Sequence, residues 1–317
     1  MATGSNRAAK GSVWSRALDA TLLGTEDPTA LGLLRIVLVA VMTASVLMHI
    51  GSVAEYFSDE AWLAGEAARK AFYSRWSLFF YVTDPWAVRA IFGVGVLAHV
   101  MWLVGYRTPV ASFVAWALWV SMVGRNPLLY SLPDALHGVL AFVLMLLPTG
   151  RGLSFDARRN GPRPVPVWCR RVVQLQIAVV YVSTGLFKSG VTWHRDGTAL
   201  YYTLVNPYNR HFAIMPLLAK LQPWVLRPAT WLVLVWEIGF GGFVVSHWLR
   251  EVFHRPRRWP DLRWGFLGFG LAMHVGIQVM LYVVWFTPLM IASYAAFLRP
   301  EEARGILRRL RRWTTRS

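Results

Sequence analysis

The sequence predicts an all-α protein, a bundle of about eight helices that cross a membrane. Two properties of the composition indicate this class: 56% of the 317 residues are hydrophobic, and only 15% are charged. A soluble domain carries roughly a quarter charged residues. The third observation is the position of the basic residues, which give a formal charge of +17 and cluster between apolar runs. That pattern follows the positive-inside rule of membrane proteins and argues against nucleic-acid binding.

The N-terminal 28 residues are predicted to form a tail and a surface helix. Residues 1–10 are small and polar, and apolar residues recur at helical spacing over 12–23, as in a helix that lies on a membrane. Glu26-Asp27-Pro28 is typical of the start of a helix. The first apolar run begins near Thr29 and is long enough to span, so we expect no cleavable signal peptide.

Eight apolar stretches form the predicted transmembrane domain, residues 29–299. They cover 29–50, 86–105, 108–124, 132–148, 170–187, 225–247, 264–281 and 284–299. With this count both termini and every arginine-rich connection lie on one side, which the positive-inside rule makes the cytoplasm. These basic regions are the N-terminal tail, 149–171, 248–263 and the tail 300–317. The fourth stretch is short and the last two are tightly joined, so either could be a hairpin instead.

Two long segments, 51–85 and 188–224, lie on the opposite face in this arrangement. Both are mixed in charge, rich in aromatic residues and too long to be simple connections. If the protein carries out chemistry, we expect it on this non-cytoplasmic face.

Lys188 ends an apolar run that starts near Val172, and a polar loop follows it. Lysine occurs at only four positions, whereas the other basic residues are arginines. Burial can remove the proton of a lysine but effectively not that of an arginine, so Lys188 is a candidate base. The alternative is a lysine that extends from a helix end to reach water at the membrane edge.

Ionisable residues inside the apolar runs are costly there and mark functional positions or helix pairs. They are Arg35, His49, His99, His137, Glu237 and His274. Glu237 and His274 lie near the middle of their stretches. Glu237 could be a buried acid, a partner of Arg35 or His274, or a ligand-orienting group; a pair that fixes helix register is the alternative. We expect no metal site, because the chain has a single cysteine and no HExxH motif.

Short segments along nearly the whole chain resemble one family, that of the vitamin K-dependent γ-carboxylase-like membrane proteins, or horizontally transferred transmembrane (HTTM) domain. In chain order they are Leu31-Gly-Leu-Leu-Arg35, Glu55-Tyr-Phe-Ser-Asp59, Gly105-Tyr-Arg-Thr108, Arg125-Asn126-Pro with Asp134, Leu153-Ser-Phe-Asp156, Gln174-Leu-Gln176, Tyr181, Lys188, Trp193 and Asp196-Gly197-Thr-Ala, followed by Glu237 and His274. Their order, more than any one of them, carries the resemblance.

The resemblance implies a mechanism in which Lys188 is the general base that deprotonates reduced vitamin K, with Glu237 and His274 as further catalytic residues. In the carboxylase the deprotonated quinol reacts with O2, the product removes a glutamate γ-proton, and CO2 traps the carbanion. The implied cofactors are therefore a menaquinol-type reduced vitamin K, O2 and CO2. Residues expected to bind substrate or cofactor are Arg35, Asn126, His137, Tyr181, Trp193, Asp196, Tyr201 and Tyr202.

Other functions stay open at this point. The animal carboxylase continues into a large lumenal domain, whereas this sequence ends in a basic tail, so we expect a smaller substrate or a partner chain. A non-catalytic partner or maturation factor for a secreted peptide, and a lipid-binding or transport bundle, are the alternatives. The lipid bilayer is a partner in every case. The arginine-rich composition favours the inner membrane of a high-GC bacterium.

Overall fold

The computed structural model describes residues 22–63, 65–253 and 261–314. The predicted surface helix over 12–23 lies outside them apart from its last two residues, as do the arginines between 254 and 260. The α-helices of the described part are, in chain order, α1 (Thr29–Leu47), α2 (Val53–Phe57), α3 (Gly65–Ala71), α4 (Pro85–Val104), α5 (Thr108–Arg125), α6 (Leu132–Leu146), α7 (Phe155–Asn160), α8 (Trp168–Phe187), α9 (Val191–His194), α10 (Ala199–Val205), α11 (Met215–Leu218), α12 (Arg227–Phe253), α13 (Arg263–Met280), α14 (Phe286–Ser293) and α15 (Pro300–Thr314).

Short elements complete the chain between these helices. Single 3-10 turns cover Leu78–Phe80, Pro127–Leu129, Thr149–Arg151, Ala219–Leu221 and Tyr294–Phe297, and a π-helical turn, Gln222–Leu226, leads into α12. Two two-residue strands, β1 (Thr25–Glu26) and β2 (Val165–Pro166), pair antiparallel. The all-helical class predicted from the sequence is confirmed.

Each of the eight predicted spans coincides with a helix, but their compositions differ. Three helical stretches of the described part are long and apolar enough to cross a membrane: Thr29–Leu47, Pro85–Val104 and Met215–Glu251. Shorter apolar helices cover Pro133–Leu146 and Phe286–Phe297. Helices such as α8 and α13 begin with arginines and carry polar side chains, which lowers their hydropathy. The protein therefore has membrane-helix character, and the full count of eight crossings stays a prediction.

Local sequence explains where several helices begin and end. The Asp84 side chain caps α4 and Pro85 occupies its first turn, where a missing N–H costs nothing. Gly105 ends the same helix with a left-handed backbone, φ 72°, which glycine adopts without strain. Ser131 and Asp134 form a reciprocal capping box at the start of α6.

Large apolar side chains from most of the long helices form one main core. It includes Leu34 and Met42 of α1, Trp102 of α4, Ile177 of α8 and Phe240 of α12, all essentially inaccessible to solvent. A second cluster joins α2, α4 and α5 around Phe57, Phe79 and Trp119. In a membrane, where lipid is as apolar as the core, close van der Waals packing of these side chains holds the helices together.

Charged residues from four distant parts of the chain meet at one end of the bundle, which we call the basic end. It comprises Glu26, Asp27, Arg170, Arg171, Glu251, Asp261, Arg263, Arg299, Glu302 and Arg304. Arg170 binds both oxygens of Glu26 at 2.9 and 2.8 Å, and Arg263 reaches Glu302 at 2.6 Å. The arginine-rich segments that the sequence predicted to share one side thus contact each other.

Arg35 is fully buried and organises the loop after α6. Its guanidinium donates to the carbonyls of Thr149 and Leu153 at 2.7 and 2.6 Å. Gly105 leaves room for it, since a Cβ there would lie 2.7 Å from an Arg35 nitrogen. This charged side chain therefore replaces water as the donor for carbonyls that no helix satisfies.

Asp156 at the start of α7 closes the same region. Its carboxylate accepts from the backbone of Arg107 and from the backbone and hydroxyl of Thr108, at 2.7 to 2.9 Å. Burial alone would raise its pKa, but the hydrogen bonds from Thr108 and Arg107, with the charge of Arg35, hold the pKa of Asp156 below its usual 3.8. The resemblance segments around Arg35, Gly105–Thr108 and Asp156 thus meet as one structural unit.

Candidate functional site: an apolar cavity with one ion pair

A cavity of about 630 Å³ lies among α6, α8, α12 and α13, and it is closed by α9, α10 and the start of α14. Most of its wall is aliphatic or aromatic. Its polar and ionisable lining includes Tyr181, Lys188, Trp193, Glu237 and His274. We call it the inner cavity. Its size is within the range of small-molecule sites, about 300–1,000 Å³, and so is its combination of apolar wall and few polar groups.

Lys188 and Glu237 form an ion pair at the wall of this cavity. Lys188 follows the last residue of α8, and Glu237 is in the middle of α12. Their side chains are 23% and 9% exposed. Gly185 allows the two helices to approach, because a Cβ there would lie 2.9 Å from Ile238 and 3.1 Å from Glu237. The structure thus gives Glu237 a partner other than the two considered from sequence.

The loop after Lys188 holds an aromatic ring against the amine. Trp193 of α9 lies with its ring centroid 5.3 Å from the Lys188 nitrogen, a distance typical of a cation–π contact. The loop is anchored on α12, where Arg227 donates to the Asp196 carbonyl at 2.9 Å. Gly197 has φ 62° and packs where a Cβ would lie 2.6 Å from Arg227. The Asp196-Gly197 motif therefore shapes this loop through its backbone.

A chain of hydrogen bonds reaches the opposite part of the cavity wall. The Tyr181 hydroxyl lies 2.6 Å from His274 Nε2 and 2.6 Å from the Tyr294 hydroxyl. Tyr181 on α8 and Lys188, the residue after its last turn, both line the cavity. His274 lines the cavity, and its Nδ1 is a buried polar atom without a hydrogen-bond partner among the described residues, which is uncommon in folded proteins.

The comparisons with known proteins agree with this architecture. The pattern of the HTTM domain family matches residues 24–301, most of the chain. The chain belongs to the HTTM domain family. Searches of curated proteins and of solved structures found no match.

Five of the residues predicted as functional in this HTTM domain line the inner cavity, although they are spread over almost 100 positions of sequence. They are Tyr181, Lys188, Trp193, Glu237 and His274. The structure thus brings together the three predicted catalytic residues and two of the predicted binding residues. Their chemical roles stay predictions.

The other predicted binding residues lie elsewhere. Arg35 belongs to the region near the basic end described above. Asn126 and His137 are buried near the second core cluster, where the His137 ring stacks on Trp119 at 3.6 Å. Tyr201 packs against the small cluster around Leu204, and Tyr202 is more than half exposed. Asp196 contributes its backbone to the loop, and neither it nor these residues lines the inner cavity.

Sequence reasoning missed Tyr294 and the glycine that admits it. Tyr294 follows α14, and its hydroxyl completes the hydrogen-bond chain to His274. A Cβ at Gly270 would lie 2.3 Å from that hydroxyl, so only glycine leaves space for it. Gly270 stands one turn before His274 on α13, and that i, i+4 spacing is the one signal in the sequence that could have indicated it.

A second cavity of about 700 Å³, the outer cavity, adjoins the first. Its wall contains His49, Tyr130, Asp134 and Trp285, and Phe286 lines both cavities. The Tyr130 hydroxyl is buried without a partner in the described part, and burial raises its pKa well above the usual 10.0, helped by the charge of Asp134. The two cavities thus share Phe286 as a lining residue.

Among the described residues, no group of three or more histidine, cysteine, aspartate or glutamate side chains is placed to hold a metal ion. The inner cavity instead offers an ammonium–carboxylate pair, an imidazole and a phenol. These groups accept, donate and relay protons. The arrangement is suited to proton transfer with a largely apolar ligand.

Proposed function

We propose that this HTTM domain protein is a quinol-linked membrane enzyme of the carboxylase type, and that the Lys188–Glu237 pair removes a proton from a lipid-soluble hydroxyl compound. The single observation that carries the proposal is this ion pair at the wall of an apolar cavity. A buried pair that only fixed the helices would be covered by side chains, whereas this one is next to open volume. We further propose eight membrane crossings with both termini cytoplasmic, in a bacterial inner membrane.

The residues present fit a reduced quinone of the menaquinol type. Its ring system and isoprenoid chain match an apolar cavity of this volume, and its hydroxyl groups need polar partners at one wall. Such partners line this cavity, because the carboxylate of Glu237 can accept more than one hydrogen bond and the His274 side chain is also part of the wall. When bound, reduced vitamin K supplies the oxygen-dependent generation of a strong base that the family resemblance implies.

The Lys188–Glu237 pair acts as a unit in this proposal. Lys188 and Glu237 are joined by a hydrogen bond and are neutral overall, and when the proton between them lies on Glu237 the Lys188 amine is neutral and can accept a proton. After accepting one, it carries a carboxylic acid and an ammonium group, one net positive charge beside the oxygen that lost the proton. That positive charge stabilises the deprotonated oxygen more strongly in an apolar cavity than in water, because the dielectric constant of the cavity is low.

His274 orients the ligand in this proposal. When the Tyr294 hydroxyl donates to Tyr181 and Tyr181 donates to Nε2, the proton of His274 is on Nδ1, the nitrogen without a partner. The reverse order of donors leaves Nδ1 as an acceptor. The two tyrosines therefore decide whether Nδ1 of His274 is a donor or an acceptor.

Bound ligand is the direct test. We expect mass spectrometry of lipids extracted from the purified protein to detect a quinone at about one equivalent. The Gly276→Phe variant places a ring in the inner cavity and should lose it, because Gly276 lines that cavity. Val275→Phe is the matched control, since Val275 is 48% exposed on the other side of α13 and should retain the quinone.

Two results would overturn the proposal. One is a wild-type protein that contains no quinone and binds none when menaquinol is added in detergent. The other is equal quinone content in the Gly276→Phe and Val275→Phe variants, because the ligand would then not occupy the inner cavity. A stoichiometric polypeptide in place of the quinone would favour the role of a partner for a secreted peptide.

A further inference from the structure

The C-terminal helix α15 is fixed to the bundle at its beginning. Ala303 is fully buried, Glu302 pairs with Arg263 at 2.6 Å, and Arg304 donates to Asp27 at 2.7 Å. Only Leu298 and Arg299 separate it from the helical segment that ends at Phe297. The start of α15 is therefore held where the last apolar helix of the bundle ends.

Beyond its first turn, α15 has one apolar and one basic face. At 3.6 residues per turn, Ala303, Ile306, Leu307 and Leu310 fall within an arc of about 100°. The remaining arc carries Arg304, Arg308, Arg309, Arg311 and Arg312, and no acidic residue occurs between 303 and 314. A polar face of one charge sign beside an apolar stripe is typical of helices that lie in a membrane interface.

The apolar stripe emerges from the protein along the helix. Ala303 is buried, whereas Ile306 is 38% and Leu310 58% exposed on the same face. The bundle described here covers the beginning of the stripe and not its end. This helix face is apolar along its middle and has arginines on both sides. It therefore complements a partner whose interior is apolar and whose boundary is anionic.

We propose that α15 lies along an anionic lipid surface, with its apolar stripe among the acyl chains and Arg308 and Arg309 at the phosphate head groups. The occupant is a lipid bilayer, because the helix continues directly from the membrane-embedded bundle and its charge complements acidic head groups. Arginine suits this position, since its fork of donors binds phosphate oxygens in pairs. The inference goes beyond the proposed function and does not depend on it.

Fluorescence of the full-length protein in lipid nanodiscs tests this placement. Cys169 is the single cysteine and is buried, so Cys169→Ala gives a background in which one new cysteine can be labelled. An environment-sensitive NBD label at Leu310→Cys should emit at shorter wavelength in discs that contain phosphatidylglycerol than in pure phosphatidylcholine discs. Bromolipids should also quench this label more strongly in the phosphatidylglycerol discs. Arg308→Gln with Arg309→Gln, or 0.5–1 M NaCl (a range chosen to shorten the Debye length to roughly 3–4 Å), should reduce that difference at least twofold.

A label at Gly305→Cys is the matched control. Position 305 is on the basic arc, and a Cβ there meets no atom within 4 Å, so the substitution is accommodated. This label should report water in every lipid. The proposal is wrong if the label at 310 reports water in both lipids. It is also wrong if that label is shielded from water to the same degree in both lipids, and if replacing Arg308 and Arg309 changes nothing. The stripe would then be covered by protein.

Discussion

The basic end and the inner cavity both contain buried ion pairs, but they are built in opposite ways. At the basic end Glu251 faces Arg171, Arg299 and His247, and Asp261 likewise faces several arginines. In the inner cavity the described residues give Glu237 one ion-pair partner, Lys188. The first arrangement distributes the negative charges of Glu251 and Asp261 over several cations each. In the second arrangement, a substitution of either Lys188 or Glu237 breaks the single ion pair.

The choice of cation separates the two regions as well. The cations that pair with carboxylates at the basic end are arginines, apart from His247, and arginine keeps its proton in proteins. The cation of the inner cavity is a lysine, which exchanges its proton when its surroundings favour the neutral form. The comparison indicates that the basic end stabilises the fold, whereas the inner cavity retains groups that can change protonation state.

The sharpest test of this difference is the Lys188→Arg variant. It keeps the positive charge beside Glu237 but holds its proton permanently, so we expect turnover of reduced quinone to fall by about 10²–10⁴-fold, the usual contribution of a general base. Quinol consumption in detergent, followed by chromatography, measures it. Lys220→Arg, an exposed lysine outside the cavity, is the control and should be unchanged. Full turnover in Lys188→Arg would remove any proton-transfer role from this side chain.

Neutralising one acid in each region extends the comparison. Glu237→Gln removes the acceptor of the pair, and we expect roughly 10–100-fold lower turnover, within the range for acid–base groups, with a modest loss of stability. Glu251→Gln should instead leave several arginines without their shared acid, costing on the order of 3 kcal/mol of stability, with turnover per folded molecule nearly unchanged. Thermal unfolding measures the loss of stability in each variant, and a turnover assay measures the loss of activity. Equal behaviour of the two would contradict the distinction.

Removal of the Tyr294 hydroxyl should have a smaller effect on the inner cavity. Tyr294→Phe leaves Tyr181 free to reorient, so His274 loses the bias between its two tautomers. We expect about a five- to tenfold fall in turnover, the equivalent of roughly one neutral hydrogen bond. The pH profile of turnover separates this from a packing defect, because a tautomer effect changes its shape. A variant with an unaltered rate and profile would show that Tyr294 only packs.

The smallest expected effect comes from Asp156, near the basic end. Asp156→Asn should destabilise the protein by about 1 kcal/mol at pH 7, since the carboxylate is partly exposed. Its folded-state pKa is lowered, so this stability is present above the unfolded value near 3.8 and is lost as the pH falls through the folded value. Unfolding temperatures at pH 7 and pH 3 test the sign. The gap between wild type and variant should close at the lower pH.

Much of the fold followed from the sequence, because apolar runs and basic connections report directly on helices in a membrane. Each predicted span lies on a helix, and the arginine-rich segments meet. Lys188 could be singled out by its rarity. Its pairing with Glu237 could not, since it depends on how closely Gly185 lets α8 approach α12. Tyr294 and Gly270 were missed for the same reason: their contact joins two helices whose relative rotation no local pattern specifies.

Phe286 lines both the inner and the outer cavity, and this shared position has a consequence for access between them. A passage between the cavities at this point would open or close with the rotation of one ring, without movement of the helices. Small reactants such as gases could then pass between the two cavities while a larger apolar ligand stays in the inner cavity. Position 286 is thus the place where access could be tuned without altering any group that handles protons.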